Sequence, residues 1–208
     1  MAYIGNKPAN KAVVASDLDP AVITGQTALA TSPADTDEFL ISDAGVLKRL
    51  DASLIGGGKI GQVVSVAKTD TFSSASSSFT DLTGITVNIT PSATSSKVLI
   101  LCSLSLSVTN GGGPQLKLVR GSTDIGIADA ASNRARMTTS YVISAVDVIA
   151  AVPMIFLDSP STTSQTTYKV QGFGYNTNTI YVNRTSDDAD EVYRQRGIST
   201  ITVMEILA

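Results

Sequence analysis

The chain has 208 residues, with 25 Ser, 24 Thr, one Cys and no His or Trp. That composition excludes Ser-His-Asp and Cys-His nucleophiles, His-ligated metal and any intrachain disulfide. A net charge of −3 and a pI of about 4.8 argue against nucleic acid, whose phosphates need clustered Lys and Arg.

The hydrophobic fraction, 43 %, is enough for a packed core. Charged residues make up only 16 % of the chain, against about 25 % in an average domain. Few charges with many β-branched residues predict a β-rich protein with a polar, weakly charged surface.

Residues 1–30 are small and polar, as in Asn6-Lys7-Pro8-Ala9-Asn10 and Ser16-Asp17-Leu18-Asp19-Pro20. They show no sustained period of 2 or 3.6, so this segment is expected to be ordered only by something it lies against. Met1 to Lys7 contains no apolar h-region, so no signal peptide is expected and synthesis is placed in a cytoplasm.

Residues 31–58 hold two small apolar patches. Phe39-Leu40-Ile41-Ser42-Asp43 predicts a short strand, Asp43-Ala44-Gly45 its turn, and Val46-Leu47-Lys48-Arg49-Leu50 the returning strand. Asp51 is placed to cap one helical turn. Gly56-Gly57-Gly58 reads as a hinge. A lone two-stranded hairpin is marginal in water, so this one is expected to pack on sister subunits or a host structure.

Residues 59–208 read as strand after strand. Alternation is clearest in Ile85-Thr86-Val87-Asn88-Ile89, Leu104-Ser105-Leu106-Ser107-Val108, Leu116-Lys117-Leu118, Tyr168-Lys169-Val170-Gln171-Gly172-Phe173 and Ile201-Thr202-Val203-Met204-Glu205-Ile206-Leu207. Thr123 to Ile127 and Thr179 to Val182 continue it. Period 2 belongs to antiparallel sheets with one buried and one wet face. Ser/Thr/Asn/Gly/Pro clusters separate the runs, which predicts a sandwich or jelly roll. The Ser/Thr excess is expected on outward strand positions and in turns. The longest apolar stretch, Tyr141 to Leu157, contains Ser144, Asp147 and Pro153 and is too short for a spanning helix. No membrane insertion is expected.

Candidate chemistry is sparse. Cys102, inside Val98-Leu99-Ile100-Leu101-Cys102, reads as a buried small hydrophobe with no basic neighbour to activate it. Asp187, Asp188, Asp190 and Glu191 form an acidic loop without EF-hand spacing, better read as a solvated turn than a Ca²⁺ site. Gly56–Gly58 and Gly111–Gly113 lack the context of a phosphate loop. Tyr175 and Tyr181 flank Asn176-Thr177-Asn178, with Phe173 just before; Tyr and Asn on a loop suit a recognition surface. Arg134, Arg136, Arg194 and Arg196 are either exposed or paired with acids across a subunit interface. No cofactor or metal is expected.

The opening Ala2-Tyr3-Ile4-Gly5-Asn6-Lys7-Pro8-Ala9 resembles the start of many tail-fibre and tail-associated proteins of phages infecting marine and freshwater bacteria, cyanobacteria included. Thr36 to Asp43 followed by Gly45 to Leu50 is similar to a second element of those proteins. Lys68-Thr69-Asp70-Thr71-Phe72, Ile89-Thr90-Pro91-Ser92, Leu118 to Thr123 and Ser199 to Ile206 are similar to a β domain at the ends of such fibres. Together these cover nearly the whole chain.

The resemblance implies a homotrimeric virion protein and no enzyme. Residues 1–30 would form an extended virion-attachment arm, with Tyr3, Ile4, Gly5 and Pro8 contacting tail or baseplate proteins. Residues 31–58 would form a small β neck, and residues 59–208 an all-β, antiparallel jelly-roll-like sandwich. The sandwich would meet a host cell-surface glycan or outer-membrane component. Candidate receptor residues are Asn110, Arg134, Arg136, Tyr175, Asn176, Asn178, Tyr181, Asp187 and Asp188. The alternative role is a head fibre, capsid decoration or adaptor protein without receptor contact. A glycan-degrading spike is the weaker enzyme alternative, because no Trp is present to stack a sugar ring.

Overall fold

Residues 24–25, 27, 33–34, 36–55, 59–109, 112–142 and 148–208 are described by the computed structural model. The chain divides into two units, Met1–Gly56 and Gly57–Ala208.

In the first unit, β1 (Glu38–Asp43) and β2 (Val46–Asp51) pair antiparallel. Ala44 and Gly45 connect them with φ of 51° and 83°. Two positive φ values give the primed turn whose twist suits a hairpin. Arg49 and Glu38 pair across the strands at 2.9 Å, and Lys48 pairs with Asp43. Leu40 is 76 % exposed and Phe39 is exposed beside it. A 3-10 turn, Ala52–Leu54, follows, but the Asp51 side chain makes no capping bond to it. The expected cap is therefore absent, and the turn is closed by its backbone alone.

The second unit holds eleven strands among its described residues. They are β3 (Ile60–Lys68), β4 (Phe72–Ser74), β5 (Thr80–Ile89), β6 (Lys97–Val108), β7 (Pro114–Arg120), β8 (Thr123–Ile125), β9 (Thr139–Ser140), β10 (Ala150–Asp158), β11 (Thr166–Gly174), β12 (Ile180–Val182) and β13 (Ser199–Ile206). Sheet one runs β3-β13-β6-β12-β4, with β10 on the other side of β6. Sheet two runs β5-β11-β7-β8, with β9 also on β7. Every pairing is antiparallel. The protein is thus all-β with antiparallel sheets.

Alternation makes the core. Val98, Ile100, Cys102, Leu104, Leu106 and Val108 of β6 are buried, and the residues between them are half-buried or exposed except Ser107, which is buried too. They share one apolar cluster with Val87 and Ile89 of β5, Leu116 and Leu118 of β7, and Tyr168 and Val170 of β11. Side chains of both sheets thus close on one core, as in a β-sandwich. Val98 to Cys102 and Leu104 to Val108, separate runs in the sequence, are one twelve-residue strand. The apolar stretch ending at Leu157 supplies β10, where Pro153 is tolerated because the strand has a ladder partner on one side only.

Two polar clusters pin the sheets. The Tyr168 hydroxyl, in sheet two, donates to Asp158 Oδ2 of sheet one at 2.7 Å, and Arg120 donates to the same carboxylate at 2.8 Å. Burial, then the Asp158 carboxylate, pushes the Tyr168 phenol well above its usual range. The second cluster surrounds Asn183, whose φ is 63°. Its Nδ2 donates to the carbonyls of Lys68 and Asp70, and its Oδ1 accepts from Ser199 Oγ. Ser107, Thr185 and Ser199 are fully buried here. The hydroxyls are therefore not confined to outward positions, because carbonyls and amides inside satisfy them.

Candidate functional site: a groove at one end of sheet two

β11 ends at Gly174, where the chain folds back on itself. A Cβ at Gly174 would lie 2.0 Å from the Asn178 carbonyl oxygen, so only glycine fits. The 3-10 turn Tyr175–Thr177 occupies the fold-back. Asn176 and Thr177 both have positive φ, 57° and 63°. Asn tolerates that region; a β-branched Thr is strained there. The Thr177 hydroxyl donates to the Asn176 carbonyl at 2.6 Å. Tyr175 N–H donates to the Gly113 carbonyl, and the ring above it is 62 % exposed.

Opposite stands the 126–138 loop, closed at its base. Ala128 N–H donates to the Met137 carbonyl, and Arg136 Nε donates to the Ala128 carbonyl at 2.7 Å. Thr138 Oγ1 accepts from Leu118 N–H, which fixes the loop to β7. Between loop and turn lies a groove of about 730 Å³, lined by Arg134, Asn133, Tyr175, Asn176, Gln115 and Phe173 among others.

The groove mixes rings with polar groups. Phe173 meets Phe79 edge-on, with ring centres 4.9 Å apart, and the Lys117 ammonium sits 4.6 Å above the Phe79 ring. Gln115 stands beside Phe173 in the strand register. Its Oε1 is shut off from water without a hydrogen-bond partner. An orphan acceptor costs about 1–3 kcal/mol. Flat rings with amides and a guanidinium suit stacking and hydrogen bonding to a polar ligand.

Arg134, Tyr175 and Asn176, three of the nine candidate receptor residues, therefore line one groove. Asn178 lies behind the turn, its Nδ2 filling the space where Gly112 would carry a Cβ. Arg136 braces the loop. Tyr181 sits in β12 of sheet one, its half-buried ring covered by the Arg184 guanidinium at 4.2 Å. Asp187 and Asp188 are in a separate loop, paired with Arg194 at 2.6 Å and Arg196 at 2.9 Å. Among the described residues, no group of three or more His, Cys, Asp or Glu is arranged to hold a metal. Cys102 is buried in the core, which pushes its thiol up to about 12. Asn110, Tyr3, Ile4, Gly5 and Pro8 lie outside the described residues. Gln115 was missed: it occupies an outward position in an alternating strand, which alone does not distinguish it from a solvated one.

No protein-family model matches this sequence, and no curated protein matches it. Among solved structures, the VP2 subviral particle of infectious bursal disease virus is similar at 12 % identity, with a TM-score of 0.28. The match covers 79 % of this chain and 44 % of that one. The chain thus spans less than half the length of that structure.

Proposed function

We propose that this protein is a structural component of a tailed-phage virion: a short homotrimeric tail fibre or spike that binds the host surface without enzymatic chemistry. The groove between Arg134 and Tyr175 is the single observation that carries the receptor-contact part of this reading. It joins an exposed ring and an amide on a turn held in strained geometry with a guanidinium and further amides from the facing loop and β7. Such a set fits a hydroxyl- or amide-rich ligand, so a cell-surface glycan is the receptor class proposed, ahead of an outer-membrane protein. Residues 1–30 serve as the attachment arm toward tail or baseplate proteins, the hairpin acts as a neck, and the jelly-roll-like sandwich is the distal head.

The test is binding of the purified full chain to an array of bacterial surface glycans, beside competition with particles for adsorption. Wild type is expected to bind a defined glycan class and to block adsorption. Tyr175→Ala should weaken glycan binding by about tenfold or more, as truncation of an aromatic anchor does, with an unchanged melting temperature. Retention of full binding by Tyr175→Ala would remove the groove from the reading. A wild-type protein that neither binds nor competes would favour the head-fibre, decoration or adaptor role.

A further inference from the structure

The register of sheet one places outward side chains in rows across β3, β13, β6 and β10. One row reads Val63, Met204, Leu99, Leu157. The next reads Ser65, Thr202, Leu101, Ile155, and the third Ala67, Thr200, Ser103, Pro153. None of these twelve side chains is charged. Ile155 is 69 % exposed, Val63 55 % and Leu157 47 %. The outward face of sheet two has the opposite character. There Lys169 pairs with Asp81, Gln171 with Asp81 and Lys117 with Asp124.

Strands about 4.8 Å apart and rows about 6.8 Å apart make this uncharged patch about 400 Å². Eight of its twelve side chains are apolar and four are Ser or Thr, and its area is about half of one partner's share in a standard interface of about 800 Å² per side. The patch is therefore large enough for the centre of an interface. A charged partner finds no counter-charge here, whereas a copy of the same face leaves no charge to desolvate. Pro153, with no N–H, sits on the free edge strand, which disfavours strand addition and favours face-to-face docking. A hollow of about 330 Å³ lined by Ser95, Lys97, Leu157 and Ile206 borders the patch and has room for a neighbour's side chain.

We propose that copies of this chain pack against one another through the outward face of sheet one, centred on Leu99, Leu101 and Met204. The inference rests on the trimeric reading above for the number of copies and assigns that assembly its face. In a cyclic trimer neighbouring copies meet head-to-tail, so the β3 side of this face packs on the β10 side of the next copy's around the axis, leaving the sheet-two groove on the outside.

Light scattering on the full chain, with circular dichroism as the folding control, tests it. Wild type should have three times the chain mass. Ile155→Glu and Leu101→Glu should lower the mass to one chain at equal concentration, with an unchanged spectrum. Should either variant fold poorly, Leu101→Cys treated with a short bis-maleimide decides: covalent dimers are expected, because each chain then offers one accessible thiol beside the buried Cys102, and none from Thr86→Cys on sheet two. A trimeric wild type whose Glu variants stay trimeric and whose Leu101→Cys gives no crosslink overturns the face and spares the trimer. A monomeric wild type overturns both.

Discussion

Glu205 lies at an inward position of β13 and is only 1 % exposed. Burial pushes its carboxyl up, but hydrogen bonds from the Ser92 hydroxyl, the Gln62 amide and the Ser92 N–H outweigh that and bring it down to about 2. A carboxyl depressed in the folded state stabilises above its unfolded value and loses that contribution as pH falls through the folded one. Denaturation midpoints should therefore hold steady near neutrality and fall between about pH 4.5 and pH 2. Asp70, lowered by its bond from Lys68, and Asp81, lowered by Lys169, add to the same acid limb. Glu205→Gln should flatten that limb in part and cost about 2 kcal/mol at pH 7. A denaturant series across pH measures both, and an acid limb identical in the variant would exclude Glu205 as its source. The sequence did not disclose this residue: Met204-Glu205-Ile206 shows a carboxylate in an alternating strand, but its hydrogen-bond donors sit 113 and 143 positions away.

At the scale of elements, alternation carried the reading where one face of a strand is apolar and the other polar. β5, β7, β11 and β13 were legible for that reason. β10 was not, because Pro153, Ile155 and Leu157 make its outward face apolar too and erase the period. β4 and β9 are two or three residues long and leave no periodic signal. The groove was half legible: Tyr175 and Asn176 announce a turn, but the opposing loop is brought there only by the β7–β11 pairing. Asn183 was invisible because nothing local marks it. It follows β12 in the left-handed region, which Asn accepts more readily than most residues, and it joins the ends of β3 and β13. Asn183→Ala would strand two carbonyls and the Ser199 hydroxyl and keep the unfavourable φ. A loss of about 3 kcal/mol is expected in urea unfolding, with early hydrogen exchange in β12. Asn183→Gly relieves the φ but not the orphaned groups, so it should recover only part of that loss; full recovery would assign the effect to backbone strain alone.

The whole second unit is closed by its final strand. β13 lies between β3 and β6, pairing Ile206 with Ile60 on one side and with Lys97 on the other. Its Ile201 and Val203 are fully buried. The central ladder of sheet one therefore joins segments more than a hundred residues apart, and it cannot form until the last strand has arrived. Such non-local pairing sets a slow folding rate, in the millisecond-to-second range or longer, because loop closure precedes any gain from contacts. Stopped-flow refolding should show that slow phase in the single chain, and the proposed assembly through the outward face of sheet one should add a later phase that quickens with protein concentration. Removing residues 199–208 takes two apolar side chains from the core and leaves two ladder edges without partners at once. The shortened chain is expected to lose the cooperative melt, bind a hydrophobic dye and aggregate, since unpaired edges invite pairing between molecules. A cooperative transition retained without β13 would mean that sheet one closes through β6 and β10 alone. β3 would then be a dispensable edge, as would the Val63 corner of the proposed contact face.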